Sequence, residues 1–164
     1  MPERDRGIPI FQLFIHTSLM RVRNQIQTYK DVLDFIRKNP ICTLATADGD
    51  QPRVRGFFTI FFDDEVIYFT TGAPKDVYKQ LVKNPKVELC YLTPGFGIML
   101  RIAGTIEFVN DRAKKQKLIE EKSYLKDFTP DSPEFILMKL PHGTARFWTI
   151  TDNMREKDTK AIEF

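Results

Sequence analysis

The spacing of apolar and polar residues changes period several times along the chain, and each change marks an element. From Thr28, residues Val32, Leu33, Phe35 and Ile36 fall on one helical face. Thr28 and Asp31 have the spacing of a capping box, and Asn39-Pro40 ends the helix. Ile41 to Ala47 reads as a strand and Asp48-Gly49 as a hairpin turn. On the return strand from Gln51, residues Arg53, Arg55, Phe57 and Thr59 point one way, and Val54, Gly56, Phe58 and Ile60 point the other. Phe61 and Phe62 lead to a second turn at Asp63-Asp64, with Glu65 to Thr71 returning from it. Gly72-Ala73-Pro74 then opens a helix with Lys75 in its first turn. Its apolar face is Val77, Tyr78, Leu81 and Val82, and Asn84-Pro85 stops it.

Val87 to Leu92 is a further strand, and Thr93-Pro94-Gly95 a turn. Phe96 to Val109 reads as one bent strand. Ile98, Leu100, Ile102, Ile106 and Phe108 share one face, Met99, Arg101, Ala103, Thr105 and Glu107 the other, and Gly104 marks the bend. Asn110 or Asp111 caps a lysine-rich helix to about Lys122. Tyr124 to Ser132 reads as loop, Pro133 to Lys139 as a short helix, and Gly143 to Thr151 as a last strand. The polar tail after Asp152 is expected to fray. Five or six antiparallel strands with three peripheral helices predict a mainly β chain, a small closed or split β-barrel. The expected organisation is an N-terminal extension over residues 1–27, the barrel domain over 28–152 and a polar tail over 153–164.

Composition narrows the function classes. A chain of 164 residues is one domain by length, with enough material for a core. Its 14 phenylalanines favour sheet, and a net charge of +3 is too mild to argue for nucleic acid. The run Arg112, Lys114, Lys115 and Lys117 reads as a solvated helix face, with nucleic-acid contact as the weaker reading. Ile8 to Met20 is apolar but interrupted by Gln12, His16, Thr17 and Ser18, too short and too polar to cross a bilayer. Arg21 and Arg23 follow it without an A-x-A site, which argues against a signal peptide. The segment reads either as an addition that packs on the domain or a second subunit, or as an upstream extension of a chain starting at Met20. Cys42 and Cys90 lie in strands, with no C-x-x-C spacing and no close histidine. They read as reduced, packed thiols of a cytoplasmic protein. His16 and His142 are far apart and lack zinc spacing, so no metal site is expected.

The stretch from Gln51 to Lys83 carries the candidate chemistry. Arg53, Arg55, Thr70, Thr71 and Lys75 bring guanidinium forks, hydroxyls, an ammonium and a helix start towards one place, a set suited to a phosphate group. The competing reading leaves both arginines and the lysine as solvated surface residues. No acid–base constellation names a catalytic residue, and no G-x-G-x-x-G is present.

The segments QPRVRGF, IYFTTGAPKDVYKQLVKNPKVELCYL and RIAGTIEFV resemble the pyridoxamine 5'-phosphate oxidase-like, FMN-binding split-barrel family, and the likeness runs from about Tyr29 to about Thr151. That resemblance implies a homodimer with FMN at its interface, acting as an oxidoreductase on a small molecule, with neither nucleic acid nor membrane as partner. It gives the flavin phosphate to Arg53, Arg55, Thr70, Thr71 and Lys75, with substrate or the partner subunit as the alternative role for one of the two arginines, and lays the backbone from Val54 through Gly56 to Phe57 against the isoalloxazine ring, with Phe57 or Phe58 packing nearby. Trp148, in RFWTI, would stack on a flavin or sit in the core or dimer interface. His142 reads as a loop residue, or as a haem or catalytic one. Three departures count against vitamin B6 oxidase activity: Met99 stands where a glutamine would help hold the flavin, Pro74 stands beside Lys75 where an arginine would, and the arginine-containing C-terminal part is not matched. The alternatives are a non-catalytic flavin carrier or redox sensor, or the same fold using a deazaflavin or haem.

Overall fold

The computed structural model of the chain describes residues 28–150 and 153–164. The N-terminal extension, His16 and the Thr151 end of the last expected strand lie outside them. The strands are β1 Ile41–Asp48, β2 Gln51–Phe58, β3 Phe61–Asp63, β4 Val66–Gly72, β5 Lys86–Leu92, β6 Ile98–Thr105, β7 Glu107–Val109, β8 Phe135–Leu140, β9 Gly143–Thr149 and β10 Ala161–Glu163. The helices are α1 Tyr29–Lys38, α2 Asp76–Lys83 and α3 Arg112–Glu121. All strand pairing is antiparallel. One sheet runs β10-β9-β6-β5-β1-β2 and the other β3-β4-β8-β7, and together they make a split β-barrel.

Local signals set most of these elements. Thr28 caps α1, with the reciprocal bond from its backbone to Asp31 that completes the box. In the first hairpin Asp48 faces Gln51, and Gly49 takes the left-handed conformation at φ 65°. The second turn centres one residue later than the sequence suggests. Asp63 faces Val66, and Asp64 and Glu65 both have positive φ, as a type I′ connection requires. Asp111 caps α3 by accepting from the Lys114 amide at 2.9 Å.

Three expectations need correction, each because tertiary pairing overrides a local preference. The segment expected as a short helix after Pro133 is strand β8. Its FILMKL run is buried on both faces and lies between β4 and β7, where continuous hydrophobicity suits a strand. The expected single strand from Phe96 begins as a short 3-10 turn, Pro94–Phe96, and then divides into β6 and β7. The break falls at Ile106, whose amide donates to the Pro85 carbonyl at 2.9 Å as the chain changes sheets. Gly104 instead marks a close approach, since a Cβ there would meet Leu140 Cδ1 at 2.6 Å and the His142 carbonyl at 2.7 Å. The tail does not fray at 161–163. β10 pairs with β9, Ile162 is buried, and the Phe164 ring stacks on Tyr29 at 4.1 Å.

The barrel interior is filled by α1 (Val32, Leu33, Ile36) against the inward residues of the six-stranded sheet, among them Leu44, Tyr91 and Leu100. A second cluster, including Tyr68, Leu118, Phe135 and Leu137, seals α3 onto the four-stranded sheet. The tyrosine hydroxyl in the interior is satisfied: Tyr91 Oη and Thr59 Oγ1 lie 2.7 Å apart.

Candidate functional site

Strand β2 is the edge of the six-stranded sheet, and past it the barrel is split. Past the end of β2 the Thr59 amide continues the β1 pairing to Pro40, and the Ile60 amide crosses to Tyr68 of β4, each at 2.9 Å. Beside the split lies a groove of about 590 Å³. Gly56, Phe57 and Phe58 of β2 line one wall, Thr70 of β4 and Lys75 the other, and Tyr124 stands at the rim. Gly56 is suited to its place, since its Cα faces open space and leaves the strand backbone accessible.

Lys75 is the residue just before α2, one position earlier than the first turn expected from sequence. No side chain caps this helix start, so its first amides are open and the positive end of the helix dipole adds to the lysine charge. The Lys75 stem lies over Gly72, where a Cβ would stand 3.8 Å from Lys75 Cγ and Cε. Lys75 has no hydrogen-bond or ion-pair partner among the described residues.

The two arginines are placed differently. Arg53 is exposed and pairs with Asp48 across the hairpin, Nη2 to Oδ2 at 3.2 Å. Arg55 turns inward. Its Nη1 donates to Thr46 Oγ1 at 2.6 Å and to the Leu44 carbonyl at 3.3 Å, and its Nη2 donates to Gln80 Oε1 of α2 at 2.7 Å. The same Gln80 oxygen accepts from Thr46 Oγ1 at 2.7 Å. Burial, and then the Arg53 charge, pull the Arg55 guanidinium below its ordinary value.

The paired threonines also separate. Thr70 opens onto the groove, while Thr71 shares the inward face with Ile67 and Phe69. Thr71 Oγ1 is the buried side-chain polar atom without a hydrogen-bond partner among the described residues. A hydroxyl left this way carries its desolvation cost, which a ligand acceptor reaching it would recover. Of the expected residues, the groove therefore gathers Gly56, Phe57, Thr70 and Lys75. Val54 stands on the outer face of β2, Arg53 and Arg55 are engaged elsewhere, and Thr71 lies on the inward face outside the groove.

Two participants were not singled out in the sequence. Tyr124 reaches the groove through the fold, and nothing local marks it. Gln80 did carry a signal: it is a polar residue between Val77 and Leu81 on the buried face of α2. The open groove, the unpaired lysine and the uncapped helix start fit a planar ligand that ends in an anion.

Beyond the groove the outer face of the hairpin is apolar and open. Ile41, Val54 and Phe58 are 71%, 65% and 46% exposed. Strand register extends this face to Cys90 and Leu92 on β5, Met99 on β6 and Trp148 on β9. Phe96, exposed and in a left-handed conformation at φ 60°, packs against Trp148 with ring centroids 5.6 Å apart. Among the described residues no helix is long and apolar enough to cross a membrane.

A family model described as pyridoxamine 5'-phosphate oxidase matches residues 29–149. No curated protein matches the chain. Among solved structures, a NimC/NimA family protein from Clostridium acetobutylicum is 26% identical, with a TM-score of 0.70 over 84% of this chain and 94% of that one. A pyridoxamine 5'-phosphate oxidase-related, FMN binding protein from Nostoc punctiforme is 14% identical, with a TM-score of 0.58 over 81% of this chain and 94% of that one. A heme binding protein from Mycobacterium smegmatis is 12% identical, with a TM-score of 0.60 over 79% of this chain and 54% of that one.

Proposed function

The chain belongs to the pyridoxamine 5'-phosphate oxidase family, and from that premise we propose that it is an FMN-binding flavoprotein, an oxidoreductase acting on a small molecule in the cytoplasm. The observation that carries this reading is the groove at the barrel split, where open β2 backbone at Gly56 and Phe57 faces Thr70 and an unpaired Lys75 at a helix start. Bound there, FMN would supply the redox chemistry, and the protein would supply position and electrostatics. The β2 backbone would lie along the flavin ring and hydrogen-bond its polar edge, with the Phe58 side chain closing the apolar side. Lys75, the first amides of α2 and Thr70 would take the phosphate. Arg55 would act one step back, holding α2 at its distance from β2 through Gln80.

The exposed apolar residues Ile41, Val54, Phe58 and Leu92 on the outer face of the six-stranded sheet support a homodimer with the flavin at its interface, because a monomer gains by covering such residues. Met99 and Pro74, standing where a flavin-holding glutamine and an arginine would serve, direct the reading away from pyridoxamine 5'-phosphate and towards another substrate.

The test is an absorption spectrum of the purified chain after incubation with FMN and, separately, with haemin, each followed by desalting. Retained flavin bands with no Soret band are expected. A retained Soret band without flavin would replace the reading with a haem protein. Loss of both would leave the oxidoreductase reading without support.

A further inference from the structure

On the outer face of the six-stranded sheet, three strands from β2, lies a second cleft of about 560 Å³. Its floor is built by β5, β6 and β9, and its wall by the C-terminal segment that carries Lys157 and Thr159. Strand register sets Arg101 of β6 directly opposite Arg146 of β9, with both side chains on the outer face. Like charges facing each other across an antiparallel pair repel, and an anion between them offsets that repulsion. Glu88 accepts from Arg101 Nε, while Arg146 has no hydrogen-bond or ion-pair partner among the described residues. Lys157 adds a third cation to the lining. Glu163, on the neighbouring strand, is engaged by Thr144 Oγ1 at 2.7 Å.

We propose that the Arg101–Arg146 cleft is a binding site for a small organic dianion, a phosphate ester or a dicarboxylate, with Arg146 as its principal donor. A guanidinium fork presents paired N–H donors that phosphate and carboxylate oxygens accept, and the register brings Arg146 beside Arg101 on the adjacent strand. The cleft has the volume of a small-molecule site rather than of a single ion. It is separate from the groove at the barrel split and does not depend on the flavin reading.

The chain carries its own reporter. Trp148, the one tryptophan of the sequence, lies two residues from Arg146 on the same face of β9. The experiment is a fluorescence titration of the flavin-free full chain with glycerol 3-phosphate and with succinate, against potassium chloride at matched ionic strength. A saturable change is expected with at least one dianion and not with chloride, and the arm that saturates at lower concentration identifies the phosphate or the dicarboxylate class. Arg146→Ala and Arg146→Gln should each weaken that binding by about tenfold or more. The second variant guards against a misfolded first one, and circular dichroism checks both. Lys75→Ala should leave the titration unchanged, which separates this site from the groove. A non-saturating response, an unchanged affinity in both Arg146 variants, or loss of the signal in Lys75→Ala would overturn the proposal. So would an Arg146→Gln chain that turns from dimer to monomer in sedimentation without having bound either dianion, since Arg146 would then be an interface residue.

Discussion

The Arg55 guanidinium makes three hydrogen bonds inside the fold, while the Lys75 ammonium makes none among the described residues. Both belong to the same strand–helix unit, and both are cations near the barrel split. The difference shows what a charge at a site does when the fold uses it and when it does not. Arg55 has rigid, planar donors that reach a β1 hydroxyl, a β1 carbonyl and the Gln80 amide of α2 together, so it fixes one element against another. Lys75 is a point charge on a flexible stem at an uncapped helix start, and its donors remain available to a ligand. One cation builds the site and the other faces the groove.

Substitutions can break or sharpen this contrast. The largest expected effect is on the inward face that Arg55 shares. Leu44→Ala, directly opposite Arg55 and fully buried, should lower stability by about 2–5 kcal/mol in urea denaturation. Arg55→Ala should cost about 1–3 kcal/mol, because it leaves the Thr46 and Gln80 side chains in partly buried surroundings with fewer partners. If Arg55→Ala were as stable as the parent chain, its structural role would be lost and the contrast with Lys75 with it. Lys75→Ala should change stability by less than about 0.5 kcal/mol in the same assay, as befits an exposed residue without partners.

The same inward face should respond to alkali. Burial pushes the Cys42 thiol up to about 12 from an ordinary 9.0, and burial also raises Tyr91 well above its ordinary value. Both groups are neutral when protonated, and the folded state holds the proton more tightly than the unfolded one. The Cys42 contribution is therefore fully present below pH 9 and is lost as pH rises from there towards 12, and that of Tyr91 is lost only above its ordinary 10.0. Denaturation midpoints followed over that range should fall, and less steeply in Cys42→Ala. An identical slope in the variant would mean that the thiol does not contribute.

How much of this was legible in the sequence depends on the range of the signal. The Thr28 box, the two hairpin turns and the amphipathic face of α2 are set by residues within one or two turns of each other, and the structure places them within a residue of expectation. β8 was not legible, because FILMKL has no period that separates a buried strand from a helix and its pairing with β4 comes from across the chain. β10 failed for a related reason: three residues carry no pattern, and only the free edge of β9 and a pocket for Ile162 order them. Residue types pointed to the stretch from Gln51 to Lys83, but not to how its side chains divide between the groove and the fold. Strand alternation puts Arg53 and Arg55 on one face. It does not show that Asp48 engages the first and that Gln80, 25 residues on, engages the second. The polar Gln80 on an otherwise apolar helix face was the one mark of that long-range contact.

The central claim is that Lys75 and the start of α2 seat the phosphate of a flavin whose ring lies along β2. The most direct measurement is a pair of equilibrium titrations, FMN and riboflavin, on the parent chain and on Lys75→Ala. The two ligands differ by the phosphate alone, so their affinity difference isolates the seat. The account predicts that the parent chain prefers FMN and that Lys75→Ala erodes this preference by roughly 1–3 kcal/mol, about ten- to a hundredfold, while riboflavin affinity stays the same. An FMN preference that survives intact in Lys75→Ala would contradict it, and would move the phosphate away from this helix.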